Sequence, residues 1–104
     1  MLEATLTEYR DDDDNLFYLL NVEYEELTFS IPLTMYDLTI LESGLDGCLY
    51  QGVTSLALEF CTITSNERRQ RVSLRFINNV PILTFNLQKT YAINLLHDIR
   101  KMLE

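Results

Sequence analysis

The sequence predicts an α+β domain: a tandem βββα repeat in which about six strands, in one or two antiparallel sheets, pack against two helices. Three observations lead there. Short runs alternate apolar and polar residues with period two, the pattern of half-buried strands. Two longer stretches carry apolar residues at spacings of three and four, the pattern of amphipathic helices. The order strand, polar turn, strand, short turn, strand, helix then occurs twice along the chain.

The first run is Leu2 to Arg10, where Leu2, Ala4, Leu6 and Glu8 alternate with Glu3, Thr5, Thr7 and Tyr9. Asp11-Asp12-Asp13-Asp14-Asn15 breaks it, because four adjacent carboxylates suit only a solvated turn. Leu16 to Tyr24 resumes as a strand rich in aromatic and branched residues. Glu25-Glu26 forms a tight turn into a third strand, Leu27 to Ile31. Pro32, with no N–H to give a ladder, is expected to end that strand. Thr34 is a good N-cap, and Asp37 three residues later answers the exposed amides of a helix start. The helix runs from about Met35 to Cys48, with Leu38, Leu41, Leu45 and Leu49 on its apolar face. Gly44 and Gly47 weaken it and Gly52 marks its exit.

The second half is expected to repeat this order. Ser55 to Thr64 reads as one strand with Leu56, Leu58, Phe60 and Thr62 on one face. A polar turn, Ser65 to Arg69, leads to a strand from Arg71 to Ile77 with Val72, Leu74 and Phe76 inward. Asn78-Asn79-Val80-Pro81 is turn chemistry. Ile82 to Leu87 is the last strand. A helix from about Thr90 to Leu103 follows, with Leu95, Leu96, Ile99, Met102 and Leu103 as its apolar face. Arg100 and Lys101 suit its C-terminal dipole.

The halves also match in sequence. Leu27-Thr28-Phe29 recurs as Leu83-Thr84-Phe85, 56 residues later. Tyr36, Leu38, Ile40 and Leu41 correspond to Tyr91, Ile93, Leu95 and Leu96, 55 residues later. The chain therefore reads as a single domain, 1–104, made of two pseudo-repeats, 1–52 and 53–104. At 104 residues it buries about two-thirds of the surface of its unfolded chain, enough for a core without a staple.

Charge is unevenly distributed. The net charge is −8, which disfavours non-specific contact with nucleic acid or anionic membranes. Residues 1–52 hold twelve acidic residues and one base, Arg10, whereas residues 53–104 hold four acidic residues and seven bases. Either the halves attract each other within the fold, or the acidic half faces a basic partner. Cys48 and Cys61 sit in apolar contexts with no paired spacing, so they are expected to be buried free thiols, as suits a reducing cytoplasm. The first residues lack the basic and apolar regions of a signal peptide. The longest apolar run, Leu16 to Leu20, is too short to span a bilayer.

No catalytic or cofactor motif emerges, and neither a metal site nor a cofactor is expected. His97 is the sole histidine, and its neighbour Asp98 faces another way on a helix. A calcium loop starting at Asp11 would need Gly and Glu where Leu16 and Val22 stand. The candidate binding surface is an acidic face formed by Asp11, Asp12, Asp13, Asp14, Glu23, Glu25 and Glu26. Tyr9 and Tyr24 supply aromatic area beside the charge. Arg68, Arg69, Arg71 and Arg75 form a basic cluster on the second hairpin. They are expected to pair with the acidic half, and otherwise make a nucleic-acid patch.

The layout resembles small acidic bacterial immunity or inhibitor proteins, which neutralise polymorphic or contact-dependent toxins. The likeness lies in size, charge, tandem sheet-plus-helix halves and a Leu-rich helix after a strand, as in Leu27 to Leu41. It implies an intracellular, non-enzymatic inhibitor that occludes a basic site on a toxin or nuclease. Phage-encoded inhibitors of bacterial defence share the size and acidity. A second likeness is to whirly and PUR-type folds, whose repeated units bind single strands but hold four strands where three are read here. Single-stranded nucleic-acid binding is therefore one competing expectation; homo-oligomeric assembly, with the acidic half of one chain pairing with the basic half of another, is a second.

Overall fold

In the computed structural model, residues 2–104 are described. Three strands and a helix come first: β1 (Leu2–Arg10), β2 (Leu16–Tyr24), β3 (Leu27–Leu33) and α1 (Met35–Tyr50). The remainder is β4 (Ser55–Ala57), β5 (Cys61–Asn66), β6 (Arg71–Phe76), β7 (Leu83–Gln88) and α2 (Lys89–Leu103). The strands form two antiparallel sheets, ordered β1-β2-β3 and β4-β5-β6-β7. The architecture is thus α+β with seven strands rather than six.

The extra strand comes from Ser55 to Thr64, expected to be continuous. It folds back at Glu59-Phe60, where the Leu58 amide donates to the Cys61 carbonyl at 2.8 Å. Ala57 then lies opposite Thr62 and Leu56 opposite Ile63. The reversal restarts the alternation. Cys61 and Ile63 are buried, while Thr62, expected inward, lies on the other face.

Pro32 does not end β3. It pairs in register with Leu19. β3 is an edge strand bonded only to β2, and an edge tolerates a residue without an N–H.

Helix α1 begins as its sequence dictates. The Thr34 hydroxyl accepts from the Asp37 amide, and an Asp37 carboxylate oxygen accepts from the Thr34 amide, both at 3.1 Å. This reciprocal cap satisfies two otherwise orphaned donors. The helix stops at Gln51, and Gly52 follows with φ of +74°, a left-handed conformation that glycine adopts without strain.

The two sheets are joined through the helices and where β1 packs beside β7. α1 contacts β4 and β5 as well as β2 and β3, and α2 contacts β1 as well as β6 and β7. Leu38, Leu41, Leu45 and Leu49 of α1 and Ala92, Leu95, Leu96 and Ile99 of α2 enter one buried cluster. Each large side chain so buried stabilises the fold by roughly 1.5–3 kcal/mol. Gly44 sets the approach of α1 to the second sheet: a Cβ there would lie 2.8 Å from Ile63 Cδ1.

Candidate functional site

Antiparallel register decides where the acidic residues stand. Arg10 pairs with Leu16 at one end of the first sheet and Leu2 with Tyr24 at the other. Eight residue steps separate these ends, about 26 Å. Asp11 to Asp14 and Tyr9 therefore occupy one end, and Glu23, Tyr24, Glu25 and Glu26 the opposite end. The residues expected to share one face form two separate groups.

The aspartate end is partly occupied with its own folding. Asp11 Oδ1 accepts from the Asn15 amide at 2.8 Å and the Asp13 amide at 3.0 Å, and Asp11 Oδ2 accepts from Asn15 Nδ2 at 3.2 Å. The Asn15 amide, foremost among these bonds, lowers the Asp11 pKa below its ordinary value. Asp14 adopts a φ of 64° and stands 3.5 Å from Arg10 Nη1. Of the four aspartates, Asp14 alone joins an ion pair among the described residues, Asp11 is held by hydrogen bonds, and the carboxylates of Asp12 and Asp13 are in neither set of contacts.

The glutamate end is different. Glu3 lies directly opposite Glu23 in the β1–β2 ladder, so both project from the same outer face. Glu25 and Glu26 form the adjoining turn, and all four are exposed. Among the described residues none of them joins an ion pair. Like charges directly opposite in a ladder are destabilising. Tyr24, 48% exposed, stands beside them. Glu3 was absent from the sequence-derived set. The hairpin loop length carried the signal, because closing β1 on β2 around residues 11–15 puts Glu3 opposite Glu23.

The basic residues do not pair as expected. Arg68 and Arg69 sit in the β5–β6 turn, and Arg71 and Arg75 project from the outer face of β6. None of the four joins an ion pair among the described residues. The ion pairs between halves belong to Arg100 instead. Its Nε meets Glu42 at 2.9 Å and its Nη2 meets Asp46 at 2.8 Å, which clamps α2 to α1. Helix packing brings Arg100 to the one acidic pair one turn apart on α1. The arginines of β6 instead look outward among Thr62, Ser73, Thr84 and Asn86, on a face without carboxylates.

Two clefts open near this basic region. One, of about 680 Å³, is lined by Leu2, Tyr24, Leu27 and Phe29 on one side and by residues of β7, with Arg71 and Tyr91, on the other. The second, of about 530 Å³, is lined by Arg69, Gln70, Arg71, Gln88, Lys89, Thr90 and Ile93. Arg71 and Gln88 line both. Lys89 Nζ is held 3.3 Å from Glu67.

Remaining chemistry is sparse. His97 is exposed on α2. Among the described residues no three His, Cys, Asp or Glu side chains are grouped to hold a metal ion. Cys48 and Cys61 are free and buried, as the sequence implied, and desolvation pushes the Cys61 thiol up to about 12. No described helix is long and apolar enough to cross a membrane. Comparison with known protein families, curated proteins and solved structures finds no match to this chain.

Proposed function

We propose that this chain is a protein-binding module that acts by occlusion, docking its glutamate end onto a basic surface of another protein. Glu3, Glu23, Glu25 and Glu26 supply the charge and Tyr24 the contact area. The observation that carries this reading is the Glu3–Glu23 opposition, in which neither carboxylate joins an ion pair among the described residues. It costs stability locally, and a cationic partner would remove that cost on binding. Steering by such a patch speeds encounter and is weakened by salt. An inhibitor of a toxin or nuclease, the kind the sequence resembles, is the fitting class. No bond need be made or broken.

The test is affinity capture from the source cells at low and high salt, with Glu23→Gln/Glu25→Gln and Asp12→Asn/Asp13→Asn variants alongside. The reading expects one salt-sensitive protein partner, lost with the glutamate variant and kept with the aspartate variant. Equal capture by both variants, or no partner at any salt, refutes it.

The two halves are further inferred to be copies of one βββα unit, the second having gained β4. Phe29 and Phe85, matched in the sequence repeat, meet ring to ring at 5.9 Å. Beside them, Ser30 pairs with Asn21, and Asn86 with Ser73. Each pair joins a hydroxyl to an amide, with the residue types exchanged between the halves.

The carboxylate-free outer face of the second sheet favours one other reading, single-stranded nucleic acid held by Arg71 and Arg75 with Arg68 and Arg69 at its rim. Filter binding of labelled oligonucleotides decides it: retention that falls steeply with salt supports it, and no retention at low salt ends it.

A further inference from the structure

Sixteen of the 104 residues are acidic, yet neither cleft is lined by an aspartate or a glutamate. The charged residue in the lining of the larger cleft is Arg71. It joins no ion pair among the described residues. A cation set in a wall without carboxylates, in a chain of net charge −8, has no counter-charge of its own beside it.

Strand register gathers hydrogen-bond donors around that charge. Arg71 stands directly opposite Gln88 in the β6–β7 ladder, and Asn86 is two residues back on the same face of β7. Side chains directly opposite start about 5 Å apart and diagonal ones about 7–8 Å, so a guanidinium and two amides can converge on one anion. Asn86 Oδ1 is turned to the Ser73 hydroxyl, which leaves its Nδ2 as a donor. Gln88 spends no side-chain bond on capping α2. The opposite wall is apolar. Phe29 and Phe85 meet there at 5.9 Å, and Leu27 is 60% exposed. β1 packs beside β7, so the cleft is no track for a further strand. Its volume of about 680 Å³ is that of a small-molecule site, which is mostly apolar with a few convergent polar groups.

We infer that the larger cleft binds a small carboxylic acid with an apolar, aromatic body. The carboxylate takes two donors from Arg71, a geometry the planar guanidinium matches, with the amides of Gln88 and Asn86 beside it. The body lies against Leu27, Phe29 and Phe85. Charge selects an anion over a cation or a neutral molecule, and the apolar wall selects it over a bare inorganic anion. The inference does not rest on the glutamate-end reading: Tyr24 borders both places, but the ligand needs none of the glutamates.

The test is titration of the whole chain, followed by amide chemical shifts in nuclear magnetic resonance, with naphthylacetate, its neutral analogue naphthylacetamide, and acetate. Naphthylacetate should bind saturably with a Kd of about 1 mM or tighter, shifting amides of β7 and of the β2–β3 turn. Naphthylacetamide should bind about tenfold more weakly, the loss of one charge-assisted contact, and acetate should not saturate. Arg71→Ser should bring the acid down to the level of the amide and leave the amide unchanged. Leu27→Ser should weaken both together. Both residues are exposed, so these changes spare the core. Arg75→Ser, outside the cleft lining, should leave both unchanged. The inference is overturned by any of four results: no saturable shifts at the cleft; equal binding of acid and amide; the same loss from Arg75→Ser as from Arg71→Ser; or a short peptide with a C-terminal Phe binding more tightly than naphthylacetate, which would make the occupant a protein terminus.

Discussion

Gly44 provides a quantitative test of how α1 meets the second sheet. Replacing an interior helical glycine by alanine stabilises a helix by about 1 kcal/mol when space allows. Here the new methyl would meet Ile63 Cδ1 at 2.8 Å, with Leu58 Cδ1 at 3.4 Å and Leu56 Cδ2 at 3.5 Å. Ile63 is fully buried, so its methyl has little room to yield. Overpacking of this kind costs about 1–3 kcal/mol. Gly44→Ala should therefore destabilise by about 1 kcal/mol once the helical gain is subtracted. Ile63→Val removes the obstructing methyl and alone costs about 1 kcal/mol. In that background the alanine fills the vacated space, so the double variant should match wild type. The coupling is then about 2 kcal/mol, far outside ordinary additivity. Urea denaturation followed by circular dichroism reads it as midpoint shifts at constant slope. Gly47→Ala is the control, since its methyl meets Val53 Cγ2 at an ordinary 3.5 Å and should stabilise. Additive effects of the Gly44 and Ile63 changes would refute the packing argument.

Three further outcomes are expected. Glu23→Gln should raise stability by about 0.5 kcal/mol by relieving the opposition with Glu3, measured by the same urea titration; unchanged or lower stability counts against repulsion at that pair. Asp11 titrates lower in the fold than its ordinary 3.8, so its contribution is present above that value and is lost as pH falls through the folded one. Asp11→Ala should accordingly be less stable than wild type at neutral pH, with the gap closing toward strong acid; a pH-independent gap would contradict the assignment. Both thiols should resist a disulfide reagent at pH 8 in the folded chain and react on denaturation, Cys61 most clearly because burial lifts its thiol to about 12; prompt labelling of the native protein would contradict their burial.

Local chemistry was legible in the sequence and long-range placement was not. The Thr34–Asp37 cap, the Gly52 exit and the inward set Val72, Leu74 and Phe76 depend on neighbours within a few residues, and the structure follows them. The Glu59-Phe60 reversal lacks glycine, proline or asparagine, so nothing marked it as a turn. Pro32 was misleading because edge position is a property of the sheet, not of the residue. The acidic set was recognised by composition, but its division between two ends follows from register, and the freedom of Arg71 and Arg75 from the orientation of β6. Arg100 was placed by its helix end. Its two partners come from the packing of α2 on α1.

Recognition of a partner is proposed to depend on charge at the far tip of the β2–β3 hairpin. The most direct measurement is calorimetric titration of a purified captured protein into wild type and into Glu23→Gln/Glu25→Gln, across a range of salt. The neutralised chain should bind more weakly at low salt and lose its disadvantage as ionic strength screens the patch. Identical affinities at every salt concentration would show that those glutamates take no part in recognition.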